Sequence, residues 1–145
     1  WSSDVCSSDL LIKAIGANKV VRKEFTQRIN VGINSTYFNS VIEGMSRVVN
    51  QGGGTAVYSK IPGIEMCGKT GTVQNPHGAD HSVFVAFAPM YKPKIAIAVF
   101  IENAKGGGGL WAAPTAGLMI EKYLTRKITE KEREKIILEA NFVYK

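Results

Sequence analysis

The sequence contains few residues that could form a disulfide framework or a metal site. Its 145 residues include two cysteines and two histidines. Cys67 has no partner at metal-ligand spacing, and His77 and His81 lie four residues apart without a third ligand. The sequence therefore predicts no disulfide, no metal and no cofactor. Cys67 is expected to be a buried thiol on a strand, and the histidines to be turn and strand-start residues.

Long apolar runs and basic clusters are also scarce. The longest uninterrupted apolar run, Ile95 to Ile101, is too short to cross a bilayer. Lysines and arginines give a net charge of +6, but they are spread along the chain and are not interleaved with aromatic residues. The sequence thus predicts no membrane span in this chain and no nucleic-acid partner.

The first ten residues differ in character from the rest. Ser-Ser-Asp occurs twice between Trp1 and Leu10, and the stretch lacks the basic start and apolar centre of a signal peptide. It looks like a translated sequencing-adapter scar, so residues 1–10 are interpreted as non-native and Cys6 is left out of the fold. Residues 11–33 have no clear pattern and stay unassigned.

An amphipathic helix is predicted over residues 34–50. Apolar side chains recur there at helical spacing, which predicts one core-facing stripe. Asn34 and Ser35 are good N-cap residues, and the glycines at 52–54 end the helix. The predicted stripe contains Phe38, Val41, Ile42, Met45, Val48 and Val49.

Three strands are predicted after this helix, at about 64–73, at 81–88 and at 94–102. The short loop 89–93 makes the second and third strands antiparallel neighbours. Large residues alternate with Ala96, Ala98 and Phe100 in the third strand. Because both faces are apolar, we expect this strand to be buried on both sides, with a helix packed against its alanines.

Two helices are predicted after the glycine-rich segment 105–109, which we expect to be a mobile loop. The first begins near Trp111, with Pro114 in its first turn, and reaches about Leu124. Thr129-x-x-Glu132 is interpreted as a capping box that opens a final charged helix to about Ala140. The elements predict an α+β fold, in which helices pack on an antiparallel sheet of at least three strands.

The stretch Cys67 to Gln74 fits two patterns. Gly63-x-x-x-x-Gly68-Lys69-Thr70 matches a phosphate loop, which would make the chain a nucleotide-binding module. A phosphate loop needs a helix that begins at its Lys-Thr, yet the following residues are poor helix formers. The alternative pattern is the Lys-Thr-Gly triplet of penicillin-recognising enzymes, carried on an extended strand.

Four motifs in order favour the second pattern. They are Gly53-Gly54-Thr55-Ala56, the segment 67–74, the segment 84–89, and Glu102-Asn103 followed by glycines and Trp111-Ala112-Ala113-Pro114. This set resembles the C-terminal part of class B penicillin-binding proteins, most closely the elongation-type D,D-transpeptidases. The resemblance implies a partial serine β-lactamase/penicillin-binding transpeptidase fold over residues 11–128, with a charged helix and tail at 129–145.

The resemblance implies acyl transfer from D-Ala-D-Ala stems through a serine acyl-enzyme. It assigns a positive charge to Lys69 and carboxylate-binding hydroxyls to Thr70 and Thr72. Gly71 would let the substrate lie against the strand, and the Thr72 N–H would be an oxyanion-hole donor. The implied ligands are peptidoglycan stem peptides and β-lactams.

The family's Ser-x-x-Lys and Ser-x-Asn motifs do not occur before Lys69. We therefore expect this chain to be the C-terminal part of a transpeptidase domain, without its nucleophile and inactive alone. A serine β-lactamase or a β-lactam sensor stays open as an alternative. The resemblance also implies a parent protein at the plasma membrane, with an extracytoplasmic catalytic domain and partners in the cell-wall elongation complex.

Overall fold

A computed structural model describes residues 4–6, 28–30 and 32–141 of the chain. These residues fall into two compact units, 1–41 and 42–145. In the first unit, β1 (Asp4–Cys6) pairs antiparallel with β2 (Arg28–Asn30). Most of the unassigned region 11–33 lies outside the described residues, and the scar-like origin of residues 1–10 stays a prediction.

Helix α1 spans Thr36–Asn50. The Asn34 Oδ1 accepts hydrogen bonds from the Thr36 N–H at 3.0 Å and from its hydroxyl at 2.9 Å, so the predicted cap is confirmed at Asn34. The helix buries Ile42, Ser46 and Val49. The predicted stripe is wrong at Val41, which is 57% exposed, because it lies about 100° around the helix from Ile42.

The sheet is antiparallel throughout. Its strands are β3 (Cys67–Val73), β4 (His81–Ala88) and β5 (Ile95–Ile101), in the order β3-β4-β5. The predicted hairpin and the predicted α+β sheet are therefore confirmed. A short 3₁₀ turn, Val57–Ser59, lies between α1 and β3.

Helix α2 (Ala112–Thr125) covers one face of the sheet. Its Ala112, Ala116 and Ile120 join Phe84 and Ala86 of β4 in one buried cluster. The small residues of the helix allow its backbone to approach the strands closely, and burial of such apolar surface is the main stabilising contribution to the core.

The prediction that β5 is buried on both sides is wrong. Phe100 is 54% exposed, and Ala96 and Ala98 are also exposed on the same face. The face that carries Ile95 and Ile97 packs against the core beneath α2. The small residues at this contact therefore come from the helix, whereas the alanines of the strand face away from it.

The last helix, α3, spans Lys131–Glu139. The predicted capping box is wrong, because the N-cap residue is Glu130 and it makes no side-chain cap hydrogen bond. Thr129 instead donates its N–H, at 3.1 Å, and its hydroxyl to the Glu121 carboxylate. Because Glu121 is buried, its carboxylate oxygens need hydrogen-bond donors. Thr129 supplies them, and its side chain therefore does not cap α3. Across the described ranges, every helix is too short or too polar to traverse a bilayer.

Candidate functional site

The Lys-Thr-Gly triplet lies in the middle of β3, in extended backbone. Among the described residues, β3 has a strand neighbour on one side only, so its other edge is not paired with a strand. The phosphate-loop hypothesis is wrong, because residues 67–73 form a strand ladder with β4 and no helix begins at Lys69. The free N–H groups that a helix end would offer to a phosphate are therefore absent from this stretch.

A groove of about 450 Å³ lies along the second half of the triplet. It brings together the predicted site residues Thr70, Gly71 and Thr72, and its rim includes the exposed Tyr58 and Leu110. The remaining lining residues come from two of the four sequence motifs: Thr55, Gly107, Gly108 and Gly109.

Lys69 does not line this groove. Side chains alternate across a strand, so Lys69 shares a face with its register partner Val85, whereas Thr70 shares the opposite face with Phe84. The exposed Lys69 ammonium donates to the Thr70 carbonyl oxygen at 2.6 Å. The structure thus groups three of the four predicted site residues on the groove and leaves the lysine on the other face.

The glycine-rich segment lies directly against the triplet. A Cβ added at Gly108 would lie 2.1 Å from the Val83 oxygen and within 2.8 Å of the Gly71 nitrogen. Only a residue without a side chain can approach the strand backbone so closely. The Ala113 N–H donates to the Gly108 oxygen at 2.9 Å, so the start of α2 positions the loop that forms one groove wall.

Ser82 is a structural residue of the site that the sequence analysis missed. Its buried hydroxyl accepts the Ala112 N–H at 3.0 Å and donates to the Gly107 oxygen at 3.3 Å. It therefore satisfies one of the unpaired N–H groups at the start of α2 and ties the glycine loop to β4. In the sequence, the one sign of this role is that Ser82 takes an inward-facing position in an otherwise apolar strand.

The Cys67 thiol has a structural role. Cys67 is fully buried on β3, as predicted. Burial raises the pKa of its thiol to about 11, the Glu65 carboxylate adds to the rise, and a hydrogen bond with Ser46 opposes it. A thiol with this pKa stays protonated near neutral pH and is a poor nucleophile.

The histidines lie in and directly after the turn between β3 and β4. The His77 N–H donates to the Asn75 Oδ1 at 3.0 Å within the turn. His81 begins β4, and its Nδ1 accepts the Asn103 N–H at 3.0 Å. Both predicted roles are confirmed, and the part of the chain that the structure describes contains no cluster of metal-ligating side chains.

Comparison with known proteins shows the family of this chain. Residues 10–121 match the penicillin binding protein transpeptidase domain, and the chain belongs to that family. The peptidoglycan D,D-transpeptidase PbpA of Mycobacterium tuberculosis is 40% identical over 74 residues, which cover 44% of this chain and 15% of PbpA. MrdA of Haemophilus influenzae, also a peptidoglycan D,D-transpeptidase, is 34% identical over 106 residues, or 62% of this chain and 16% of MrdA.

Solved structures lead to the same family. Pseudomonas aeruginosa PBP2, in complex with WCK 5153, superposes with a TM-score of 0.60 at 31% identity, covering 73% of this chain and 23% of that protein. Helicobacter pylori PBP2, in complex with MreC, gives a TM-score of 0.55 at 30% identity, covering 72% of this chain and 21% of that protein. The chain therefore spans less than a quarter of each of these four proteins.

Proposed function

We propose that this chain carries the substrate-facing strand of a peptidoglycan D,D-transpeptidase. The parent enzyme would transfer an acyl group from a D-Ala-D-Ala stem, through a serine acyl-enzyme, to an amine of a neighbouring stem. The observation that carries the proposal is the Lys-Thr-Gly triplet in an extended strand, with one edge unpaired beside a groove.

The direction of the strand N–H groups supports a substrate bound along this edge. The Gly71 nitrogen, the Gly71 oxygen and the Val83 oxygen all lie within 2.8 Å of one point beside Gly108. Atoms this close are typical of an antiparallel residue pair, here Gly71 and Val83, in which each N–H donates to the partner's oxygen. Their neighbours Thr70 and Thr72 then direct their N–H and C=O groups to the free edge of β3, where an extended peptide can add as a strand.

The Thr72 N–H is accordingly our candidate for one oxyanion-hole donor. In the ladder it alternates with Gly71 and so faces the free edge, where a scissile carbonyl would lie. A fixed backbone N–H stabilises the negative charge that develops on that oxygen in each tetrahedral intermediate. The missing second donor and the serine would have to come from outside the described residues.

The remaining roles concern the terminal carboxylate of a stem peptide or the corresponding group of a β-lactam. The hydroxyls of Thr70 and Thr72 line the groove and can donate to that carboxylate. Lys69 would supply positive charge, which favours an anion across the strand even without direct contact. Because its ammonium is exposed and, among the described residues, bonds the neighbouring Thr70 carbonyl alone, it can reorient at a small energetic cost.

We also propose that the parent protein acts at the plasma membrane, with its catalytic domain on the extracytoplasmic side, and that its partners are proteins of the cell-wall elongation complex. Kinship with MrdA supports this assignment, as does the complex of Helicobacter pylori PBP2 with MreC.

A titration of the ¹⁵N-labelled chain tests the proposal. A peptide that ends in D-alanyl-D-alanine should shift the amide signals of Thr70, Gly71 and Thr72, whereas the L-alanyl-L-alanine isomer should shift them far less. Shifts confined to other regions, or none at all, would remove the support for substrate recognition by this strand.

A second measurement addresses the nucleophile. Incubation with a labelled penicillin should leave the chain without a covalent adduct, because it lacks the serine motifs expected before Lys69. A stable adduct, located by mass spectrometry of its peptides, would show that the chain contains its own nucleophile.

A further inference from the structure

We infer that Thr55 is a positioning residue for Thr70, the hydroxyl that would bind the substrate carboxylate; this inference rests on the proposed function. The two Oγ1 atoms lie 2.9 Å apart, and either can donate the hydrogen bond. Thr55 belongs to the Gly-Gly-Thr-Ala segment, whose role the proposed mechanism leaves open.

Thr55 is held at this position by the glycine loop. A Cβ at Gly109 would lie 2.1 Å from the Thr55 carbonyl oxygen, so the loop backbone is in direct contact with the Thr55 backbone. Ala56, the next residue, is fully buried in the core. Thr55 is thus fixed on two sides while its hydroxyl points to Thr70 at the groove.

A count of protons determines the direction of this hydrogen bond when an anion is bound. Each threonine hydroxyl has one proton, and an ionised carboxylate can only accept. If Thr70 donates to the carboxylate, then Thr55 must donate to Thr70. The resulting chain, Thr55 to Thr70 to carboxylate, polarises the Thr70 hydroxyl and strengthens its bond to the anion.

The same contact restricts the Thr70 side chain before any ligand arrives. A threonine in a strand can occupy more than one χ1 rotamer, and the Thr55 bond favours the rotamer that directs the hydroxyl to the groove. A ligand then loses less free energy in ordering this side chain. We therefore expect Thr55 to increase carboxylate affinity without touching the carboxylate itself.

The first experiment measures the Thr70 rotamer without ligand. Three-bond couplings to the Thr70 Cγ2 should show one χ1 rotamer in the wild-type chain, averaged rotamers in Thr55→Val, and one rotamer again in Thr55→Ser. Thr115→Val is the matched control, since the Thr115 hydroxyl donates to the oxygen of Trp111, the residue that precedes α2. A single unchanged Thr70 rotamer in Thr55→Val would overturn the inference.

The second experiment measures binding of a D-alanyl-D-alanine peptide with a free carboxylate and of its C-terminal amide. Thr55→Val should weaken carboxylate binding by about three- to tenfold, the range expected for the loss of a hydrogen bond between two neutral hydroxyls, and should leave amide binding almost unchanged. Thr55→Ser should restore the difference.

Equal losses for both peptides, or no loss at all, would overturn the positioning role. A wild-type chain that fixes the Thr70 rotamer but binds neither peptide would overturn the proposed function instead. The couplings would then still report whether Thr55 orders Thr70.

Discussion

The two faces of the three-stranded sheet differ sharply in how deeply their side chains are buried. On the first face, which carries Phe84 and Ser82, both residues are fully buried beneath α2 and the loop that precedes it. On the second face, Phe100 is 54% and Val85 is 43% exposed. The comparison shows that alternation along one strand, rather than its overall hydrophobicity, decides what each side chain contacts.

The candidate site follows the same division. Thr70 and Thr72 lie in register with Phe84 and Ser82, on the first face beyond the start of α2. Lys69 lies in register with Val85 on the second face. The groove is therefore continuous with the buried cluster beneath α2, which can hold its hydroxyl groups in place.

The largest expected effect tests this difference in burial between the two faces directly. Phe84→Ala should lower the free energy of unfolding by about 3–5 kcal/mol, because it removes a buried ring and leaves a cavity. Phe100→Ala, its matched control on the second face, should cost less than about 1 kcal/mol, since its ring is 54% exposed. Urea denaturation of both variants measures the two values, and similar losses would contradict the comparison.

The second face is buried at one point, around Cys67. A pH titration of stability can test whether this thiol is shielded from water. Burial raises the pKa of this thiol to about 11 from 9.0, so the folded chain holds the proton more tightly than the unfolded chain. The thiol's contribution to stability is complete below pH 9 and is lost as the pH rises toward 11.

Over this interval the wild-type chain should lose about 2–3 kcal/mol more stability than Cys67→Ala, whose other titrating groups are the same. The measurement is urea unfolding at several pH values between 8 and 11. Parallel pH profiles for the two chains would mean that the thiol is not shielded from water.

The next effect concerns the glycine loop on the first face. Gly108→Ala introduces a Cβ that would lie 2.1 Å from the Val83 oxygen of β4 and 2.5 Å from the Gly71 oxygen of β3, so the loop must move away from both strands. We expect a destabilisation of about 1–3 kcal/mol and shifted amide signals of Gly71 and Thr72. Gly52→Ala is the control, because within the described part of the chain its added Cβ would meet no atom within 4 Å beyond its chain neighbours. If Gly108→Ala and Gly52→Ala left the amide signals of Gly71 and Thr72 equally unchanged, the glycine loop would not be in close contact with β3.

The smallest effect compares two fully buried serines. Ser82→Ala removes the hydroxyl that bonds Ala112 and Gly107 and should cost about 1–2 kcal/mol, as the loss of a helix cap does. The Ser59 hydroxyl has no hydrogen-bond partner among the described residues, so Ser59→Ala should be neutral or slightly stabilising. Thermal unfolding of the pair measures the difference, and a larger loss for Ser59→Ala would reverse the assignment.

The strands, the hairpin and the Lys-Thr-Gly triplet could be predicted from the sequence, because alternation and turn residues are local signals. The exposed face of β5 could not be predicted in this way. Its alanines and Phe100 are apolar, and only the position of α2 determines which face is covered.

Contacts between distant residues were also invisible in the sequence. Thr55 and Thr70 are 15 residues apart, and Ser82 bonds an amide 30 residues later. No periodicity marks such pairs. The capping box failed for a related reason, since the buried Glu121 takes both Thr129 donors.

The indole of Trp111 donates its N–H to the Lys105 carbonyl oxygen at 2.9 Å, which spans the glycine loop from end to end. The chain contains two tryptophans, so a Trp1→Phe variant would leave this indole as the sole strong fluorophore. Its emission would then report any change in the surroundings of the glycine loop, without any added label.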